Sequence, residues 1–328
     1  MKALVLLSGG LDSRLAVKLM QEQGAVEAVH FKLPFEGCCF SECAFRFAQS
    51  EGVKLHIVDM AKGKLFQEYM KIVRKPRFGY GSGMNPCIDC RVMMLREARE
   101  LAKKIKADCV VTGEVLGERP MSQTRRALEL IERESGLQGR ILRPLSAKLL
   151  PETDAERKGL VKREKFYSIS GRRRKPQLEL AEKFKLRNFP TPGGGCLLCE
   201  MEFARKLADL FRNKKRISFR DVQLLKLGRH FRIGGSKIVV GRNERENNLL
   251  MKMKGRSDYM FEVPDCGSPT TILQGMKSKG AVKLAGELTA AYSDCKERRV
   301  AVKYGKNRFS RKVVVEKIPL KEFEKFRV

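Results

Sequence analysis

The sequence predicts an α/β protein: a parallel-sheet domain, then a basic, mostly helical segment, then a small α+β domain. Three observations carry this. Short apolar runs of strand length alternate with helical periodicities over roughly the first 115 residues, the pattern of a parallel sheet flanked by helices. The next stretch loses that alternation and gains positive charge. From about residue 228 the text changes to strands punctuated by glycine.

Residues 2–7 form the first apolar run, and Leu11, Leu15 and Leu19, with Ala16 and Met20 beside them, recur at helical spacing. A strand is expected at Val26–Phe31, a helix at Ser41–Glu51, a strand at Val53–Val58 and a helix over 63–73. Lys75–Pro86 reads as a loop rich in Gly and Pro. Over Val92–Ile105 the positions Leu95, Ala98, Ala102 and Ile105 make one apolar helical face, and Asp108–Thr112 is the next strand. Residues 120–185 read as basic and mostly helical, and Gly171-Arg172-Arg173-Arg174-Lys175 also fits a solvated loop. Thr191–Gly195 is a break, followed by a helix at Glu200–Arg212. Strands at Ile238–Val240, Tyr259–Val263, Arg299–Val302 and Val313–Val315 surround a helix near 281–293. The expected divisions are 1–145, 146–227 and 228–328.

Charge narrows the partners. The chain carries 68 Lys+Arg against 38 Asp+Glu, a formal +30, and a field of that sign and size favours a polyanion such as nucleic acid. No apolar run approaches the ~20 residues of a membrane span, and the N-terminal run is too short for a secretory leader. The expectation is a cytoplasmic protein with no membrane contact, whose ten cysteines are reduced thiols, metal ligands or redox groups. The three histidines, His30, His56 and His230, are scattered and read as structural.

Ser8-Gly9-Gly10-Leu11-Asp12-Ser13 ends the first strand and opens the first helix. Such a turn offers free backbone N–H groups and the positive end of a helix dipole to an anion. Ser8 and Ser13 add hydroxyls, and Asp12 can orient the turn or hold magnesium. The stretch fits neither G-x-x-x-x-G-K-[ST] nor G-x-G-x-x-G. SGGLDS resembles the PP-loop of the ATP pyrophosphatase superfamily, which implies an adenine nucleotide alpha hydrolase-like fold and cleavage of ATP to AMP and pyrophosphate. On that likeness Ser8, Gly9, Gly10, Asp12, Ser13, Phe31, Thr112 and Gly113 are the nucleotide-binding candidates, with ATP and Mg2+ as ligands. Thr112-Gly113-Glu114, then Gly117 and Ser122-Gln123, resembles the corresponding segment of tRNA 4-thiouridine synthase, although Glu118 stands where that pattern has Gln.

Two C-x-x-C pairs, Cys87-Ile88-Asp89-Cys90 and Cys196-Leu197-Leu198-Cys199, have the spacing that puts both sulfurs on one centre, and two pairs suffice for zinc or an iron–sulfur cluster. Asn85–Cys90 resembles the segment of tRNA 2-thiouridylases that holds their first catalytic cysteine, and Gly195-Cys196 their second, so Cys90 and Cys196 join Asp12 as catalytic candidates. Cys87 replaces an aspartate common there. That departure points to the cluster-dependent thiolases, which implies a [4Fe–4S] centre on Cys87, Cys90 and Cys196, with zinc as the alternative. Cys199 reads either as a fourth ligand or as a free thiol able to carry a persulfide, and Cys38, Cys39 and Cys43 are left outside the site.

Gly241-Arg242-Asn243-Glu244, with Arg256–Tyr259 and Gly286–Ser293, resembles the RNA-binding domain of fibronectin-binding-protein-like ribosome quality-control factors. Asp258-Tyr259-Met260-Phe261-Glu262 lacks that family's Trp and His, and the GRN stretch alone also fits a surface hairpin. The combined expectation is an ATP-dependent tRNA-uridine 2- or 4-sulfurtransferase. Its partners would be tRNA and a sulfur donor (sulfide, a persulfide carrier or a cysteine desulfurase), and a homodimer is compatible with it. The alternatives are a PP-loop enzyme adenylating a small acid or amide, and a non-enzymatic RNA-binding factor.

Overall fold

The computed structural model describes residues 1–36, 40–190 and 195–328. The chain divides into two compact units, Met1–Met201 and Glu202–Val328. Residues 146–201 therefore fold with the first unit and 202–227 with the second.

The first unit is built on β1 (Lys2–Leu6), α1 (Leu11–Gln21), β2 (Ala25–Lys32), α2 (Phe40–Ser50), β3 (Lys54–Asp59) and α3 (Gly63–Arg74). It continues through α4 (Cys87–Ile105), β4 (Cys109–Thr112), α5 (Arg125–Ser135), β5 (Ile141–Leu142), α6 (Asp154–Arg157) and α7 (Lys175–Lys183). The five strands are all parallel in the order β3-β2-β1-β4-β5. Ala3, Val5, Leu7 and Val111 of the central strands pack with Ala16, Val17 and Met20 of α1, and Ala28, Ala44 and Phe47 complete that layer. A sheet covered on both faces needs continuous apolar strands, which is why β1 and β4 read as unbroken runs. Leu11, Leu15 and Leu19 of α1 face Leu180 and Ala181 of α7, so the segment after residue 170 is wrapped onto the helix that follows the glycine turn.

One boundary differs in a way that matters. The helix expected from Val92 begins at Cys87, so both cysteines of the first pair lie in its opening turns. Pro86 precedes them as the N-cap residue, and Asp89 accepts from the Arg77 and Phe78 N–H groups at 2.9 and 3.1 Å. An apolar-periodicity reading starts a helix late when its first turn mixes cysteine and aspartate after a proline.

The second unit holds α8 (Met201–Asn213), α9 (Phe219–Leu225), β6 (Arg229–Ile233), β7 (Ser236–Val240), α10 (Glu244–Met253), β8 (Tyr259–Glu262), β9 (Thr271–Gln274), α11 (Lys279–Ala291), β10 (Arg299–Gly305) and β11 (Arg311–Glu316). Its six strands are antiparallel in the order β11-β10-β8-β9-β7-β6. Ala281, Leu284, Ala285 and Leu288 of α11 pack on one face of this sheet, and Leu224 and Leu250, of α9 and α10, pack with Val239 and Ile272. The GRN stretch is a helix cap and not a hairpin: Asn243 accepts from the Glu246 N–H at 3.0 Å, and Arg242 pairs with the Glu246 carboxylate.

His230 on β6 is 1% exposed, with Nε2 donating to the Leu227 carbonyl at 2.7 Å and Nδ1 buried without a partner. Burial, helped by the nearby Lys237 ammonium, holds its pKa well below the ordinary 6.5. The unfolded chain binds this proton below pH ~6.5 and the folded chain does not, so folding stability is lost as pH falls through that value. We expect the thermal midpoint of this unit to drop between pH 7 and 5.5, and His230→Leu to flatten that dependence.

Candidate active site

The strand order reverses between β1 and β4, and ligands of open parallel sheets bind beyond the strand carboxyl ends at such a switch point. Leu6 and Thr112 are register partners there. After β1, Gly9 adopts φ +87°, a left-handed conformation that glycine takes without a steric penalty. Gly10, with no side chain to cap the helix, is the N-cap residue of α1. The turn is braced internally. Ser13 Oγ donates to the Gly10 carbonyl at 2.8 Å, Ser8 and Ser13 hydroxyls lie 3.2 Å apart, and buried Arg14 donates from Nε to the Gly9 carbonyl at 2.9 Å. A helix start braced in this way and lacking a side-chain cap has the backbone N–H groups and dipole that suit an anion.

A cavity of about 290 Å³ opens at this point. Ser8, Gly10, Asp12, Ser13, Thr112 and Gly113 line it; Phe31, Val29 and Met94 supply apolar wall, and Cys196 also reaches it. The Asp12 carboxylate lies 3.5 Å from Arg174, yet its Oδ1 is buried with no partner. Burial raises the pKa of Asp12 against the opposing charge of Arg174. Glu118, on the same cavity, is likewise raised, by burial and by the Asp12 charge. An orphaned carboxylate oxygen beside a second carboxylate is a donor set that suits Mg2+.

The thiols gather from both pairs. Leu197 N–H donates to the Phe35 carbonyl at 3.0 Å, and Met84 N–H to the Leu198 carbonyl at 2.9 Å. Ser82 Oγ donates to the Cys199 carbonyl at 3.1 Å, and Asn85 Nδ2 to Cys199 Sγ at 2.8 Å. These bonds hold the second pair against the loop that precedes the first. Cys90 Sγ lies 3.5 Å from the buried Tyr69 hydroxyl, whose pKa is raised by burial and by Cys90, Cys196 and Cys87 together. Burial pushes the Cys90 thiol up and the Cys87 thiol up to about 11. Between the second pair the proton stays on Cys196, whose thiol donates to Cys199 and holds it down to about 6.

Cys87, Cys90 and Cys196 are thiols of the kind that would suit a [4Fe–4S] cluster. Among the described residues no three His, Cys, Asp or Glu side chains converge closely enough to share one ion. Arg119 lies near both regions: its charge lowers Asp12 and Glu118 and also Cys87 and Cys199.

Residues 1–148 match the family model described as thiamine biosynthesis protein (ThiI), and residues 228–327 match the NFACT protein RNA binding domain. The two matched stretches do not overlap, and residues 149–227 lie between them. A probable tRNA sulfurtransferase of Finegoldia magna is 32% identical over 148 residues, covering 44% of this chain and 36% of that protein. One from Thermoanaerobacter sp. (strain X514) is 34% identical over 134 residues, covering 39% and 32%. The chain thus spans about a third of the length of the curated relatives it matches. A solved structure of the U34-tRNA thiolase NcsA from Methanococcus maripaludis with its [4Fe-4S] cluster is 18% identical, covers 69% of this chain and 70% of its own, and has a TM-score of 0.33.

Ser8, Gly10, Asp12, Ser13, Phe31 and Thr112-Gly113 line one cavity with Cys196, Gly9 shapes the turn without lining it, and Cys87, Cys90 and Cys196 all act on the buried Tyr69 hydroxyl. Cys38 and Cys39, and residues 191–194 of the glycine break, lie outside the described residues. Cys43 stands apart from these thiols, beside Arg14. His56 makes a structural contact to Glu27 at 2.6 Å. His30 does more than the sequence suggests, lining the cavity while its Nδ1 donates to the Leu7 carbonyl at 2.9 Å.

Sequence reasoning missed the arginines. Buried Glu114 ties Arg91, Arg143 and Thr112 together at 3.1, 3.1 and 3.0 Å, and the two arginines hold it ionised although burial works the other way. The signal for Arg91 was its place directly after Cys90, on a helix that turns one face to the thiols and another to β4. Gly113 was found, but its reason is tertiary: an added Cβ would sit 2.4 Å from the Asp12 carbonyl oxygen and 2.6 Å from the Ser13 nitrogen. Both are backbone atoms. Gly113→Ala is therefore expected to cost about 1–3 kcal/mol and to weaken ATP binding, measured by thermal unfolding and calorimetric titration.

Proposed function

We propose that this chain is an ATP-dependent tRNA sulfurtransferase that adenylates a uridine carbonyl and exchanges its oxygen for sulfur. The observation that carries it is one cavity with the PP-loop on one wall and Cys196, from the gathered thiols, on another. The loop receives ATP phosphates, with Asp12 and Glu118 as the residues that would hold Mg2+, whose charge favours departure of pyrophosphate. The uracil oxygen attacks the α-phosphorus, pyrophosphate leaves, and the ring carbon becomes electrophilic. A sulfur nucleophile adds to that carbon, and AMP departs with the oxygen. Cys87, Cys90 and Cys196 would hold a [4Fe–4S] cluster, which when bound supplies iron that keeps sulfur anionic. Cys199, the thiol of lowest pKa in the group, is the other candidate to carry sulfur, as a persulfide.

The net charge of +30 and the NFACT-type segment support tRNA as the polyanion. Incubating the protein with tRNA, ATP, Mg2+ and sulfide, then analysing nucleosides by mass spectrometry, tests the reading and distinguishes a 2- from a 4-thiouridine. No ATP-dependent thionucleoside with either sulfide or a persulfide donor would reject it. In the same preparation, affinity for tRNA should fall by orders of magnitude between 50 and 200 mM salt.

A further inference from the structure

The basic run Arg172-Arg173-Arg174-Lys175 is split by the fold. Arg172, Arg173 and Lys175 are exposed, whereas Arg174 turns inward and lines the cavity that contains the glycine turn. Its delivery is specific. Gly171 N–H donates to the Leu116 carbonyl at 2.7 Å, Ser170 bridges to Leu116, and both Gly117 and Gly171 adopt positive φ, at +77° and +81°. Arg174 is then the N-cap residue of α7, which packs on α1 through Leu180 and Ala181. A residue 162 positions after Asp12 is thereby anchored at the start of the helix that Asp12 belongs to.

What it does there is left incomplete by the protein itself. Its nearest charge, Asp12 Oδ2, is at 3.5 Å, the outer limit for a hydrogen bond. Arg174 Nε is buried with no partner, and so is Asp12 Oδ1. One turn further along α7, Gln177 is 0% exposed with both amide atoms unpartnered. Buried polar groups are nearly always bonded, and an unpaired one costs the desolvation of that group. A guanidinium and a carboxylate that are each only half satisfied, facing a cavity at a helix N-terminus, are complementary to an anion that carries its own cation.

We propose that Arg174 is a phosphate ligand of the nucleotide, held ready by the Leu116–Gly171 junction. With nucleotide bound, phosphate oxygens accept from the guanidinium and Asp12 is freed from its loose pairing. This rests on the PP-loop reading of the cavity. No charged side chain in the Ser8–Ser13 turn is cationic, so the loop supplies dipoles and hydroxyls while Arg174 supplies a full positive charge. Arginine suits this because its planar fork bonds two oxygens at once.

The test is calorimetric titration of the full chain with ATP and, separately, with adenosine. Arg174→Ala should weaken ATP binding roughly ten- to hundred-fold and leave adenosine binding unchanged, whereas Arg173→Ala, on the exposed neighbour, should alter neither. Arg174→Lys should recover part of the loss. Acting only through Asp12 is separated by the double variant: in an Asp12→Asn background, Arg174→Ala should still weaken ATP. Unchanged ATP affinity in Arg174→Ala, equal loss of adenosine, an equal effect of Arg173→Ala, or no further loss in the double variant would each overturn the assignment. If the wild type binds neither ATP nor adenosine, the nucleotide reading fails first, and this proposal with it.

Discussion

Asp12→Ala should abolish release of pyrophosphate, by at least the hundred- to thousand-fold that loss of one transition-state electrostatic partner typically costs, while tRNA affinity stays nearly unchanged. The effect is expected to be large because Asp12 opens α1 at the switch point and one of its carboxylate oxygens is buried and unpaired. Nothing else among the loop residues carries negative charge to hold Mg2+ there. Asp12→Asn keeps the shape and removes the charge, so a similar loss in both variants assigns the effect to charge. The tRNA arm separates catalysis from folding, since a collapsed protein would lose both. Turnover that survives Asp12→Ala would remove the PP-loop from the mechanism.

Cys87→Ala should eliminate both bound iron and sulfur transfer. The wild type, purified without oxygen, is expected to be brown and to contain iron; the variant should be colourless and make no thionucleoside. ATP binding should persist in it, because Cys87 lies with the thiols, outside the cavity lined by the 8–13 turn and the end of β4. Cys109→Ala is the control: this thiol is buried in β4, at 4% exposure, and its loss should leave colour intact. A colourless, zinc-loaded wild type with full activity would reject the cluster and favour the zinc alternative.

Much of the fold was legible because its signals are local. Alternating apolar runs and helical periods marked β1, α1 and β2 within a few residues, since a fully covered parallel strand must be apolar throughout. Gly9 was legible as a turn residue, and its φ of +87° supplies the reason. Other elements escaped. β5 has only Ile141 and Leu142, too short to show a period, and α10 begins inside a stretch whose charged residues hide its apolar face. Asn243 was the available signal, because asparagine accepts from the third residue of a helix as a cap.

The sequence by itself determined the α/β character of the first unit, the glycine turn at residues 8–13, the spacing within each thiol pair and the positive field. These follow from residue type and near-neighbour spacing, which a linear reading preserves. Only the tertiary structure decided which distant residues share the site. Cys87 and Cys199 are brought together by bonds between the 82–85 and 196–199 segments. Gly113 is confined by Asp12, and Arg174, at the N-cap of α7, lines the cavity while Arg172 and Arg173 stay exposed. Spacing along a chain sets which face of an element a residue occupies, whereas convergence of elements depends on packing, and packing is where charge, burial and unpaired atoms are assigned.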